Sequence, residues 1–283
     1  MEKPLVSVIM GVHNQWDEKI LLAAVDSILK QSYTFFEFII CNDGSHPDVT
    51  QKVNDLIKLD DRIIIVGQEE NKGLAFSLNE CIRLAKGKYI ARMDSDDISL
   101  PFRIEKQVDF LERNTEYDWC GTCVELIDED GIWGNRYMVE EPQIKDYLKY
   151  SPYVHPSVMF RASLFNENQG YLESQETLRC EDYEMFMRLV QRGKRGYNIQ
   201  ENLFQYRETR ESYYKREVSF RLNEAKIRYK NFRNLDILFP TGWIYVLRPV
   251  LACFIPGILL EYIKRSQGIR CKEQKQRETR FSV

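Results

Sequence analysis

Apolar positions in the N-terminal third of the chain fall into two rhythms. Unbroken runs of strand length, at 6–12, 36–41, 63–66 and 89–93, alternate with longer stretches whose apolar residues recur three and four apart. The stretch 17–31, with Ile20, Leu21, Ala24, Ile28 and Leu29 at helical spacing, predicts a helix; 49–59 and 74–85 predict two more. Gly73 opens the last of these and Gly87 stops it. Beyond residue 120 the pattern predicts shorter strands and hairpins, with helices at about 181–191 and 219–231. Strand and helix in alternation imply an α/β fold, a mixed and mostly parallel sheet flanked by helices. Such sheets bind ligands at the carboxyl ends of their strands.

Three polar clusters fall at those ends: His13 and Asn14, then Asn42 to Ser45, then Asp94, Ser95, Asp96 and Asp97. Carboxylates this close repel, and each rises in pKa unless a cation balances them. Hard oxygen ligands in small number suit Mg²⁺ or Mn²⁺, which keep several waters and share their coordination with substrate phosphates. The acidic cluster therefore points to a metal held jointly by protein and diphosphate. A phosphatase of the haloacid dehalogenase type carries its Asp-x-Asp after the first strand, whereas here it follows the fourth. A calcium loop counted from Asp94 places Ser99 where glycine is required. Asp96 or Asp97 capping a helix that begins near Pro101 explains one carboxylate, hardly three. Neither Gly-x-Gly-x-x-Gly after the first strand nor a P-loop signature occurs, so a nucleotide would be held by other means.

With 43% hydrophobic and 29% charged residues over 283 positions, the chain can bury a full core. The net charge of -3 conceals an asymmetry: residues 213–283 hold 15 Lys/Arg against 6 Asp/Glu, leaving the body acidic. The N-terminal stretch lacks a signal-type apolar segment, so the chain reads as unexported, and its seven irregularly spaced cysteines read as reduced thiols. Cys120 and Cys123 have redox spacing, yet a redox pair needs a helix N-terminus. This one continues as an alternating strand into Glu129-Asp130-Gly131.

In this order, the stretch 7–14, Asn42-Asp43-Gly44-Ser45, Asn71-Lys72-Gly73-Leu74, 91–97, 155–161 and 181–188 resembles glycosyltransferase family 2, GT-A-fold enzymes common in bacterial polysaccharide assembly. The resemblance covers residues 5 to about 212. It implies a nucleoside-diphosphate sugar donor, UDP-linked by preference, a Mn²⁺ or Mg²⁺ ion, and inverting transfer to an acceptor hydroxyl. On that basis Asp43 contacts the nucleobase, while Val12, His13, Asn14 and Asn71 line the nucleotide pocket. Asp94, with Ser95, approaches the ribose or donor sugar; Asp96 is the principal metal ligand, supported by Asp94; Asp182 is the catalytic base. Inverting displacement needs one base for the acceptor proton and one electrophile for the departing diphosphate, which agrees with that set. His155 is either a structural residue or part of the site wall, and Arg188 either pairs internally or orients the base. Thr209 stands where the family often has a metal-binding histidine, so either an extra water completes the coordination or Arg207 or Arg210 supplies charge instead.

Residues 237–263 are strongly apolar, but Arg248 and the prolines at 240, 249 and 256 divide them into pieces too short to cross a bilayer. Lying in the membrane interface fits better, with Lys264, Arg265, Arg270, Lys272, Lys275, Arg277 and Arg280 meeting anionic headgroups. The alternative is packing on the catalytic domain or on a second subunit. The expected organisation is a catalytic domain over 1–212 and a helical, basic extension over 213–283. The partners are then a nucleotide sugar and a glycan or lipid-linked glycan acceptor, at the cytoplasmic face of the membrane; no nucleic acid is implied, and an oligomer is open. Two other functions compete. One is a non-catalytic, membrane-associated sugar-nucleotide-binding protein; the other, a sugar-nucleotide pyrophosphorylase, would need a Gly-rich basic loop that Gly11-Val12-His13-Asn14 does not supply.

Overall fold

The computed structural model describes residues 3–167, 170–209, 217–255, 258–259, 262–263 and 265–266. β1 (Val6–Val12) is buried along nearly its whole length, as a strand covered on both faces must be. α1 (Glu18–Leu29) follows, its first turn capped by Asp17, whose Oδ1 accepts from the Lys19 and Ile20 N–H groups at 3.0 and 3.3 Å. Then come β2 (Phe36–Asp43), α2 (Pro47–Asp55), β3 (Ile63–Gln68), α3 (Leu74–Leu84) and β4 (Tyr89–Asp94). β1 pairs in parallel with β2 on one side and β4 on the other, and β3 extends the sheet beyond β2. β5 (Ile98–Ser99) is a two-residue strand that the hydrophobic pattern does not reveal, and α4 (Arg103–Arg113) is the helix expected near Pro101.

Next in order are β6 (Trp119–Asp128), β7 (Gly131–Arg136), β8 (Met159–Arg161), α5 (Ser163–Glu167), α6 (Glu181–Gln191) and β9 (Gly196–Arg207). The sheet runs β3-β2-β1-β4-β8-β6-β9-β5, with β7 on β6. β8 is the antiparallel wedge between β4 and β6, and β6 pairs in parallel with β9. The sheet is thus mixed and mostly parallel, as expected. The region after residue 120 differs from its expected short strands: β6 spans 10 residues and β9 spans 12. Their polar positions, such as Thr122 and Asn198, are buried and break the apolar rhythm from which a strand is read.

Side-chain alternation sorts the core into two layers. Val8 and Met10 of β1 join Leu21, Ala24, Val25 and Ile28 of α1, Val49 and Val53 of α2, and Ile104, Val108 and Leu111 of α4. Ile9 faces the other way, to Leu78 and Cys81 of α3 and Met185 and Phe186 of α6. Cys120 and Cys123 are buried inside β6, and burial pushes the Cys120 thiol up, the reverse of what a redox pair requires. α7 (Val218–Asn234) packs on α6, and α8 (Trp243–Leu251) packs on α7. The Arg228 guanidinium fixes that contact, lying 4.9 Å from the Tyr183 ring centre and donating to the Leu148 carbonyl at 2.7 Å. No helix among the described residues is long and apolar enough to cross a membrane.

Candidate active site

The carboxyl ends of β1, β2, β4, β6 and β9 share one edge of the sheet, because these strands run in the same direction. There Asn14 adopts a left-handed backbone with φ 48°. Its N–H donates to Ser45 Oγ at 3.0 Å and its Oδ1 accepts from the His46 N–H at 2.8 Å. His13 Nδ1 lies 2.8 Å from the Asp43 carbonyl, which only accepts, so the ring proton sits on Nδ1 and Nε2 accepts from Asn14 Nδ2 at 3.1 Å. The two oxygens of Asp43 accept from the Lys72 and Gly73 N–H groups at 2.8 and 2.9 Å, and Asn71 Oδ1 also accepts from Gly73 at 2.9 Å. Gly44 is required here: its φ is 58°, and a Cβ would stand 2.3 Å from the Glu70 carbonyl carbon. The clusters at 12–14, 42–45 and 71–73 are therefore stitched into one rim. Asp43, itself buried, therefore builds that rim.

At the end of β4, one carboxylate oxygen from each of Asp94, Asp96 and Asp97 lies within 4.8 Å of the others. Each is restrained differently. Asp94 Oδ1 is 2.5 Å from Arg92 Nη1. Asp97 is buried, and its Oδ1 accepts from the Arg207 N–H at 2.7 Å while its Oδ2 has no hydrogen-bond partner. The Asp96 carbonyl accepts from Arg207 Nε at 2.8 Å, and no other residue hydrogen-bonds its carboxylate among the described residues. Ser95 is half-buried in the turn between them. The short pairing of β5 with β9, Ile98 opposite Gln205, brings Arg207 to this loop. Burial and then the Asp94 charge raise the Asp96 carboxyl to about 6; burial and the charges of Asp94 and Asp96 push Asp97 well above the carboxylate range. Three crowded carboxylates, one with an orphaned buried oxygen, form a donor set that fits a hard divalent ion such as Mn²⁺ or Mg²⁺. Neither Asp96 nor Asp97 caps α4, whose N-cap is Phe102 with no side-chain hydrogen bond, so the capping alternative falls.

Arg92 is the residue that links this cluster to the rest of the site. It alternates with Met93 along β4, so its side chain points with Asp94 toward the α3 and α6 face, where it is 2% exposed. Its charge acts on Asp96, Asp97, His155, Glu181 and Asp182. Its Nε has no hydrogen-bond partner. Asp182 occupies the first turn of α6; burial foremost, and then the Glu181 charge, raise its carboxyl to about 6, against the pull of Arg92. His155 is buried with Nε2 2.6 Å from the Tyr171 hydroxyl, and burial beside Arg92 holds its pKa well below the usual histidine value. It is thus held neutral against Tyr171. Arg188 pairs with Glu184 at 3.0 Å and donates to the Gly170 carbonyl at 2.6 Å, contacts that match the internal one of the two roles open to it in the sequence.

The structure thus brings Asp94, Asp96 and, through Arg92, Asp182 into one electrostatic neighbourhood, with Val12, His13, Asn14, Asp43 and Asn71 on the adjoining rim. Sequence reasoning missed Arg92, Tyr171 and the bracing role of Asp97. A signal existed for Arg92: a lone cation inside an apolar strand, two positions before Asp94 and hence on its face. Tyr171 carried none, being placed by Asn79, whose Nδ2 and Oδ1 bond its carbonyl and N–H, both at 2.9 Å. Thr209 lies just past β9, next to the Arg207 and Glu208 anchors, while Arg210 to Ser212 lie outside the described residues.

The family description "Glycosyl transferase family 2" matches residues 7–168. EpsE of Bacillus subtilis, named as a glycosyltransferase, is 36% identical over 95% of this chain and 96% of its own. An Escherichia coli UDP-Gal:alpha-D-GlcNAc-diphosphoundecaprenol beta-1,3-galactosyltransferase is 27% identical over 93% of this chain and 96% of its own. Among solved structures, the mannosyltransferase PcManGT of Pyrobaculum calidifontis, in complex with GDP-Man and Mn²⁺, shares the fold with a TM-score of 0.60 at 14% identity, over 94% of this chain and 81% of that one. The fold and these matches agree, and the chain is a GT-A-fold member of glycosyltransferase family 2, a transferase of the polysaccharide-assembly type.

Proposed function

We propose that the chain is an inverting, metal-dependent hexosyltransferase that moves a sugar from a UDP-sugar to a hydroxyl of a lipid-linked glycan. The observation that carries this reading is the buried Arg92 guanidinium, which lies beside Asp94 and whose charge acts on both the aspartates after β4 and the carboxylates opening α6. One set suits a diphosphate-bound ion and the other an acceptor proton. In this reading Asp96, with Asp94, holds Mn²⁺ or Mg²⁺, and the ion when bound neutralises charge on the departing diphosphate. Val12, His13, Asn14, Asp43 and Asn71 hold the nucleotide, and Asp94 and Ser95 meet the ribose or sugar. The Asp182 carboxylate takes the proton of the acceptor hydroxyl as that oxygen attacks the anomeric carbon and the bond to the diphosphate breaks. A carboxyl raised to about 6 is still ionised at neutral pH and basic enough to help. With Thr209 in place of a histidine, Arg207, already at the acidic turn, offers positive charge nearby.

The catalytic domain corresponds to residues 1–212 and the extension to 213–283, the latter keeping the protein peripheral on the inner face of the cell membrane. The E. coli relative, which acts on a diphosphoundecaprenol-linked sugar with UDP-Gal, supports both the donor and the acceptor class. The test is a panel of nucleotide sugars with Mn²⁺ or Mg²⁺, comparing wild type with Asp182→Asn. Turnover of one donor by the wild type, lost in the variant, is the expected result; nucleotide-sugar binding with no turnover in either protein would leave a binding protein instead.

A further inference from the structure

α8 is apolar on two opposite sides, and only one of them has a partner. Val246 and Pro249 are buried on the side toward the protein. Ile244, Leu247 and Leu251, spaced three and four apart and so on one face, are 67, 53 and 60% exposed, and Phe254, at the end of the 3-10 turn that follows, is 82% exposed. Ile258 and Tyr262 continue the exposed apolar surface beyond the helix. A helix apolar on both sides is normally buried all round, and a contiguous exposed patch of this kind marks an interaction surface. The sequence that follows identifies its partner: residues 264–283 carry seven Lys/Arg and two Asp/Glu. Two copies meeting through this face would bring like-charged tails together, whereas an anionic lipid surface would meet apolar stripe and basic tail at once.

A second contact connects this face to the site. Arg265, expected from the sequence to meet anionic headgroups, instead turns back onto the protein: its Nη2 lies 2.5 Å from Asp128 Oδ2, whose side chain is 2% exposed, and its guanidinium sits 4.8 Å from the Trp133 ring centre. Asp128 is the last residue of β6, at the same sheet edge as the acidic turn after β4, and Trp133 lies on β7 of the hairpin that follows. The chain thus returns, 137 residues later, to the rim it left.

We propose that the outward stripe of α8 and the residues just beyond it docks on an anionic lipid bilayer, and that Arg265, clasped by Asp128 and Trp133, ties this surface to the sheet edge carrying the acidic cluster. Docking then holds that edge at a fixed height and orientation over the lipid headgroups. The inference rests on the peripheral position proposed above and adds the surface and its coupling to the site.

The test uses the full chain with phosphatidylcholine vesicles, with and without phosphatidylglycerol, in a flotation assay. The protein is expected to float with the phosphatidylglycerol vesicles and to be released by salt. The double variant Leu247→Asp/Leu251→Asp is expected to bind at least about tenfold more weakly while keeping wild-type affinity for UDP with Mn²⁺. Hydrogen exchange should slow on docking both in α8 and in the β6–β7 hairpin; in Arg265→Ala only the α8 effect should remain. Absence of vesicle binding, equal binding by the double variant, or a dimer that the double variant dissociates would each overturn the docking surface. No slowing in the wild-type hairpin would overturn the clasp. Loss of UDP binding by the wild type itself would instead count against the proposed transferase reading and leave the docking result standing.

Discussion

In the proposed reaction, Asp182 and Arg92 are where single side chains decide the chemistry. Asp182 titrates near 6 because burial, and after it the Glu181 charge, disfavours its carboxylate. Activity, measured as kcat/KM against pH, should therefore fall on the acid side with a limb near that value, and Glu181→Gln should move the limb to lower pH by removing a like charge. Asp182→Asn should cost about 10³-fold in kcat with UDP affinity unchanged. The same shift has a sign for stability. A carboxyl whose folded pKa lies above its unfolded 3.8 contributes stability that is present at low pH and lost as pH rises through about 6, so Asp182→Asn should be no less stable than wild type at pH 7.5. Arg92→Met has the opposite character. It leaves Asp94 without its 2.5 Å partner and withdraws the cation that five neighbouring groups feel, and should destabilise the fold by about 3–5 kcal/mol in denaturant unfolding, with Arg92→Lys in between.

At the scale of elements, the rim depends on loops held by backbone contacts rather than by side-chain packing. Gly44→Ala forces a Cβ into the Glu70–Asn71 backbone at a φ of 58°, and should cost about 1–3 kcal/mol of stability and weaken UDP binding more than Mn²⁺ binding, as calorimetry would measure. That rim, β1 to β4 and helices α1 to α3 were legible in the sequence, because each strand is built on an apolar run and each helix presents one apolar face. The aspartates were legible for a different reason: three like charges in four positions have no structural use that capping can supply. What escaped was everything fixed by distant partners. β5 is two residues long and exists because Gln205 and Phe204 stand opposite it; Arg207 reaches Asp96 and Asp97 across 110 residues of sequence. Pairings of that reach leave no local period to read.

The whole molecule is a site assembled from two halves of the chain, and its ligands should couple them. The acidic turn belongs to the N-terminal half, while Arg207 and α6 come from the C-terminal half, and the orphaned Asp97 oxygen and the raised carboxyls mark the place where the proposed cation would relieve repulsion. UDP alone brings further negative charge to that place, and Mn²⁺ alone lacks the phosphate oxygens that complete its coordination. Thermal unfolding should accordingly shift little with either one and markedly with both, by the equivalent of about 2.7 kcal/mol when the complex is present at a hundredfold excess over its Kd. Thr209→His restores the imidazole that the family often carries just beyond β9 and should tighten Mn²⁺ binding about tenfold in the presence of UDP. If Arg207 already fills that role electrostatically, the new histidine will raise metal affinity without raising turnover. A parallel rise in both would instead assign the missing ligand to Thr209's position.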